Sequence, residues 1–97
     1  MPKAYWIVNN QISDPDTYET YKAANAAPLS RHGGKFLVRA GRQQVAEGEM
    51  LPRSVVIEFP NYDAALACYD DPDYVEARNI RENAAEGSLI IVEGYDP

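Results

Sequence analysis

Two tripeptides, Asp14-Pro15-Asp16 and Asp71-Pro72-Asp73, constrain this chain more than anything else in it. Each is followed by a tyrosine and a helical pattern (DPDTY at 14–18, DPDY at 71–74), then a glycine and an apolar run, KFLV or LIIV. The first Asp of such a tripeptide caps a helix through its carboxylate. The Pro is preorganised at the first helical position, and the second Asp complements the helix dipole. A chain that starts two helices in the same way, each running into a strand, is built from two related halves.

The remaining segments complete the halves. KAYWIVNNQI (3–12) is β-branched and aromatic with incomplete alternation, the pattern of a strand covered on both faces. Tyr18, Tyr21, Asn25 and Leu29 recur at intervals of three and four and mark one face of the first helix, which Pro28 is expected to kink or restart. Arg31-His32-Gly33 should end that helix, and GKFLVRA (34–40) reads as the second strand. Gly41 is expected at a bulge or bend, with RQQVAEGEM as an extended arm leading into a turn. RSVVIEF (53–59) is the third strand and YDAALACY a short helix. The second DPD starts a helix with Tyr74, Ala77, Ile80 or Arg81, and Ala84 inward. Gly87 is expected to end it, before the last strand SLIIVEGY (88–95). With right-handed crossovers, β-α-β followed by β-α-β gives a ferredoxin-like α+β sandwich over residues 1–97 as one domain. Its sheet is four-stranded and antiparallel, in spatial order 4-1-3-2, with both long helices on one face.

The helices leave the other face uncovered, yet apolar residues occupy both parities. Tyr5 and Ile7 stand against Trp6 and Val8, Val55 and Ile57 against Val56, and Ile90 and Val92 against Leu89 and Ile91. A sheet wet on one face alternates more cleanly. A second copy is the simplest cover, so a homodimer is expected, two sheets face to face in a dimeric α/β barrel.

Composition excludes several classes. A net charge of −6 gives no basic face for nucleic acid or an anionic membrane. One histidine and one cysteine are too few for a zinc site, so neither a metal nor a cofactor is expected. No charged-then-apolar leader opens the sequence and no apolar run reaches the length of a membrane span, so a cytoplasmic location is expected. Cys68, spaced with Ala64 and Ala65, reads as a small packed residue.

The stretches AYWIVNNQISDPDTYETY, HGGKFLVRAGR, the EGE before PRSVVIEFP, and EGSLIIVEG together resemble the bacterial family catalogued as domain of unknown function 1330, from about residue 3 to residue 95. The resemblance implies a ferredoxin-like fold in the dimeric α/β-barrel superfamily and supplies no activity. That superfamily holds cofactor-free monooxygenases, haem-degrading enzymes, lactone isomerases and plain ligand-binding modules, so fold alone does not choose among them.

Five residues are candidates for a site. His32 has the pKa range for proton transfer, although a basic last turn before glycine is also how helices end. Gly33-Gly34 follow a helix and precede a strand, the reverse of a phosphate cradle. Arg39 lies in an apolar strand at the parity of Lys35 and Leu37. There it either pairs with Glu58 or Glu93 or anchors an anionic ligand. Trp6 (or Tyr5) with Asn9 would grip a flat, oxygen-bearing ligand, as the resemblance to cofactor-free monooxygenases implies. Arg81, at an inward position of the last helix, is expected to face the same space. Two readings stay open. One is a pocket for a small anionic or aromatic molecule, with metal-free proton transfer, isomerisation or oxygenation and His32 carrying the proton. The other is a non-catalytic dimer module whose charged strand residues lock the assembly.

Overall fold

The computed structural model describes residues 2–96. The elements follow one another as β1 (Ala4–Ile12), α1 (Pro15–Arg31), β2 (Lys35–Arg39), β3 (Arg53–Phe59), α2 (Tyr62–Asp70), α3 (Pro72–Glu82) and β4 (Ala85–Glu93). The strands form one antiparallel sheet in the order β2-β3-β1-β4, the expected 4-1-3-2 read from the other edge. The fold is therefore the ferredoxin-like α+β sandwich.

The capping chemistry read from the sequence is present. The Asp14 carboxylate accepts from the Thr17 amide at 3.2 Å and from its hydroxyl at 2.7 Å. The Asp71 carboxylate accepts from the Asp73 amide at 2.9 Å, and Asn61 caps α2 by accepting from the Ala64 amide at 2.8 Å. Each cap satisfies an amide that the first helical turn leaves without a partner. At the other end of α1, Gly33 takes φ +78°, and the Gly34 amide bonds to the Leu29 carbonyl at 2.7 Å. A side chain at Gly33 would strain the backbone and press on Pro60.

The helices bury the inner face of the sheet. Trp6 lies at the centre, 1% exposed, with ring centroids of Tyr74 and Phe59 at 4.9 and 5.0 Å. Its indole N–H donates to the Ala65 carbonyl at 3.0 Å, so the one polar atom of the ring is satisfied. Ala4, Val55, Ile57, Ala65, Cys68 and Ala77 complete the core around it. Burial pushes the Cys68 thiol up to about 12, helped by the Asp71 charge, so it packs as an inert apolar group.

The outer face is not covered. Ile7 is 42% exposed and its cross-strand partner Ile90 53%, flanked by exposed Val92, Leu37 and Val38. This is the apolar face for which the sequence had no remaining element. Among the described residues, no helix is long and apolar enough to cross a membrane.

Four local expectations are corrected. Helix α1 does not restart at Pro28 but continues through it to Arg31 as one helix. The missing proline N–H costs one bond, while the buried ring packs and its carbonyl accepts from the His32 amide at 3.2 Å. Helix α3 ends at Glu82, with Asn83 as its C-cap, ahead of Gly87, which lies inside β4. There a Cβ would stand 2.3 Å from the Asn9 carbonyl oxygen and 2.6 Å from the Asn10 Cα, so only glycine fits the strand crossing. The bulge is at Leu37, not Gly41: Phe36 pairs with Ile57 and Val38 with Val56, two steps on one strand against one on the other. That extra residue inverts the parity of Arg39, which pairs with Val55 and shares the inner face with Phe36 rather than the face of Lys35. Its expected partner Glu58 is held on the outer face by Lys3 at 3.2 Å and Tyr5 at 3.3 Å, and Glu93 pairs with Ala4 at the far end of β1.

Candidate functional site

A slot of about 30 Å³ opens between α1 and the inner face, at the end of the sheet where β1 and β2 finish and β3 and β4 begin. Beside it lies a wider cleft of about 310 Å³ between β4 and the end of α3. Val8, Arg81 and Leu89 line both spaces. Apolar side chains from the strands form the floor, and the first half of α1 forms the roof.

The charge of this space is opposite to that of the chain. Lys22, Arg39, Arg53 and Arg81 line the slot, and no carboxylate does, in a molecule of net charge −6. Among the described residues, only Lys22 of the four has an acidic partner, Glu19 at 3.1 Å on the outer surface of α1. Arg39 is exposed, and its guanidinium lies 4.2 Å from the centroid of the Phe36 ring, with no ionic partner among the described residues. That stacking holds the guanidinium plane still while leaving its N–H groups open.

Deeper in, tyrosines organise the arginines. Arg53 donates to the Tyr18 hydroxyl at 2.8 Å, which also receives Asn10 at 3.4 Å. The Tyr21 and Tyr74 hydroxyls are 2.9 Å apart, and Arg81 donates to Tyr74 at 3.1 Å and to Tyr21 at 3.5 Å. Burial raises the Tyr74 hydroxyl well above the ordinary phenol range, the neighbouring Tyr21 adds to this and Arg81 opposes it. Tyr74 therefore stays protonated and acts only as a neutral hydrogen-bonding group. Burial works against the charge on Arg81, and its hydrogen bonds to the tyrosine hydroxyls work for it; an arginine remains cationic at neutral pH.

The five residues singled out in the sequence separate into three places. Arg39, Arg81 and Trp6 meet at the slot. Asn9 points from β1 to the outer face and pins the arm before β3. Its amide donates to the Leu51 and Arg53 carbonyls at 3.0 and 3.1 Å, and its oxygen accepts from the Leu51 amide at 2.9 Å. His32 lies beyond the C-terminus of α1, roughly 10 Å along the helix axis from Asn25, the last slot residue of α1. There its ring meets the Asp71 carboxylate at 2.8 Å, and Arg31 donates to the same oxygen at 2.6 Å. The hydrogen bond from His32, the Asp73 amide and Arg31 together lower Asp71 to about 2, against some desolvation. His32 is thus part of a latch between the end of α1 and the start of α3.

Sequence reasoning passed over Lys22, Arg53, Tyr18, Tyr21, Tyr74 and Asn25 as site residues. Asn25 carried a signal: an amide on the tyrosine-bearing, inward face of α1 is out of place in an apolar core.

The sequence pattern of the family described as a domain of unknown function (DUF1330) matches residues 3–95. The chain belongs to that family. No curated protein matches this DUF1330 chain. A protein of unknown function from Rhodopseudomonas palustris superposes with a TM-score of 0.77 at 21% identity, over 99% of this chain and 85% of that one. SnoaB, a cofactor-independent oxygenase from Streptomyces nogalater, gives a TM-score of 0.66 at 13% identity, over 100% and 97%. A dimeric protein of unknown function and ferredoxin-like fold from Bacteroides fragilis gives 0.61 at 16%, over 95% and 96%. At these identities the likeness shows that the DUF1330 chain shares their fold.

Proposed function

We propose that this chain binds a small conjugated or aromatic organic anion in the slot and cleft, as one half of a homodimeric α/β barrel. Charge segregation carries the reading: four of the nine lysines and arginines line one small space without a carboxylate, in an acidic protein. Cations gathered in a poorly hydrated space repel one another and favour an anion strongly, because the local dielectric is low. Arg39 is the anchor at the mouth, Trp6 and Phe36 supply flat apolar walls, and Arg53 and Arg81 hold the inner end. His32 and Asn9 are given no part in binding.

The dimer rests on the apolar outer face and on the named dimeric relative of the same fold. A cytoplasmic location is part of the proposal, as expected from the sequence. Any chemistry at this site is metal-free proton transfer, isomerisation or oxygenation of an activated substrate, for which SnoaB is a precedent on the same fold. One observation favours a second reading, a binding module without catalysis: among the described residues, the slot lining contains no histidine, cysteine or carboxylate to act as a base.

A thermal-shift series with aromatic and conjugated acids tests the proposal. Native-state binding raises the melting temperature, so at least one such acid should stabilise wild type by several degrees and leave Arg39→Ala unmoved. Equal stabilisation of both proteins would remove Arg39 from the site, and no stabilisation by any acid would remove the site.

A further inference from the structure

The polar groups of the slot are nearly all donors. The Tyr18 oxygen already accepts from Arg53 and Asn10, so its own hydrogen has no acceptor among the described residues. The Tyr21–Tyr74 pair carries two hydroxyl hydrogens. One lies in the contact between the two oxygens, and Arg81 only donates to them, so the second hydrogen also lacks a protein acceptor. Asn25, 5% exposed, lines the same space and has no side-chain hydrogen-bond partner among the described residues. Hydroxyl hydrogens in a buried setting without a protein acceptor are costly unless something accepts them, and the Asn25 amide adds open hydrogen-bonding capacity at the wall of the slot.

Size narrows what that is. The slot, about 30 Å³, is about a tenth of the volume of the adjoining cleft. It suits an oxygen and the carbon that bears it, and the wider cleft, whose walls include apolar Val8, Ala85 and Leu89, suits a ring.

We infer that the inner end of the slot is an oxyanion site for a phenolate or enolate oxygen, held by the Tyr21–Tyr74 hydroxyl pair, Arg81 and Asn25, with the ligand's ring in the cleft. This rests on the reading of the slot as an anion site and adds which oxygen it takes. The same arrangement stabilises an enolate or phenolate whose negative charge develops on a bound ligand, since the donors are fixed before it arrives. Cations Lys22, Arg39, Arg53 and Arg81 and the phenols of Tyr18, Tyr21 and Tyr74 face the slot, and Glu82 and Glu86 lie along the cleft.

The probe is 4-nitrophenol, whose ionised form is coloured, beside its methyl ether 4-nitroanisole, which has the same ring and no acidic hydroxyl. Binding to the full chain is followed by absorbance and calorimetry near the phenol's own pKa. Wild type should deepen the colour, holding the phenolate about ten- to a hundredfold more tightly than the ether, the range expected of a charged hydrogen bond. Tyr21→Phe and Tyr74→Phe, taken singly, each leave one hydroxyl hydrogen for the ligand and should retain most of the preference. The double variant and Arg81→Gln should lose it, with melting temperature and circular dichroism confirming that each is folded. Equal binding of phenol and ether, or an unchanged preference in both the double variant and Arg81→Gln, overturns the oxyanion site while leaving an anion slot at Arg39 standing. Failure of both compounds to bind overturns both readings.

Discussion

Phe36 and Arg39 are three residues apart in β2, yet they share one face of the sheet, the guanidinium 4.2 Å from the ring centroid. In an unbroken strand their side chains would point to opposite faces. The extra residue at Leu37 absorbs the difference and delivers a cation to an apolar wall. Deleting Leu37 removes the bulge but keeps both flanking pairings, Phe36 with Ile57 and Arg39 with Val55. Arg39-dependent stabilisation by an aromatic acid is expected to survive that deletion. Its loss in a folded variant would show that the bulge does more than set parity.

Arg39→Ala is expected to leave the unliganded protein almost as stable as wild type, within about 1 kcal/mol, because the side chain is exposed and gives up one stacking contact. Urea unfolding without ligand measures this. A larger loss would mean that the arginine locks structure.

The latch at the other end of the molecule gives a pH prediction. Folding lowers the Asp71 pKa to about 2, from an ordinary carboxylate value near 3.9. A depressed acid contributes stability above its unfolded pKa and loses it as pH falls through the folded one. Wild type should therefore melt higher than Asp71→Asn, by roughly 4–8 °C at pH 6–7, and the gap should close between about pH 4 and pH 2. Melting curves across that range check the sign; a gap that widens on acidification would rule out the carboxylate as its source.

Gly87→Ala should be among the most damaging small substitutions. Its methyl group would meet backbone atoms of Asn9 and Asn10 that cannot turn aside, so a cost of roughly 1–3 kcal/mol or more is expected in equilibrium unfolding. Gly41→Ala, where nothing lies within 4 Å of the added atom, serves as the comparison and should be nearly silent.

On the outer face, Ile7 and Ile90 are paired across strands and both exposed. Ile90→Lys should convert a dimer to a monomer in light scattering while the circular dichroism stays unchanged. A monomeric wild type at micromolar concentration would remove the α/β barrel altogether.

The sequence made the frame legible because its signals are local. Each Asp-Pro-Asp caps its own helix, and Gly33 is left-handed where a basic last turn ends. The misplaced features depend on partners distant in the chain. Nothing within KFLVR marks Leu37 as the extra residue, since the bulge exists only against Val56. Gly87 looked like a helix stop, but it is required by the backbone of β1. The slot suffered in the same way. Arg39 and Arg81 stand out as charges in apolar patterns, and Trp6 as a flat ring on the strand that carries Asn9. Tyr18, Tyr21 and Tyr74 looked like ordinary core aromatics, and it took their hydroxyl partners to show otherwise. His32 drew notice as the only histidine, whereas its ring belongs to the Asp71 latch.

Strand β1 separates two environments by a single peptide step. Trp6, Val8 and Asn10 face the helices, while Tyr5, Ile7 and Asn9 face away. Damage along these residues should thus be recorded in alternation, the even positions in folding and ligand affinity, the odd ones in association and in the anchoring of the arm. On the proposed function, selection could tune what the protein holds and what it joins almost independently, although one strand carries both.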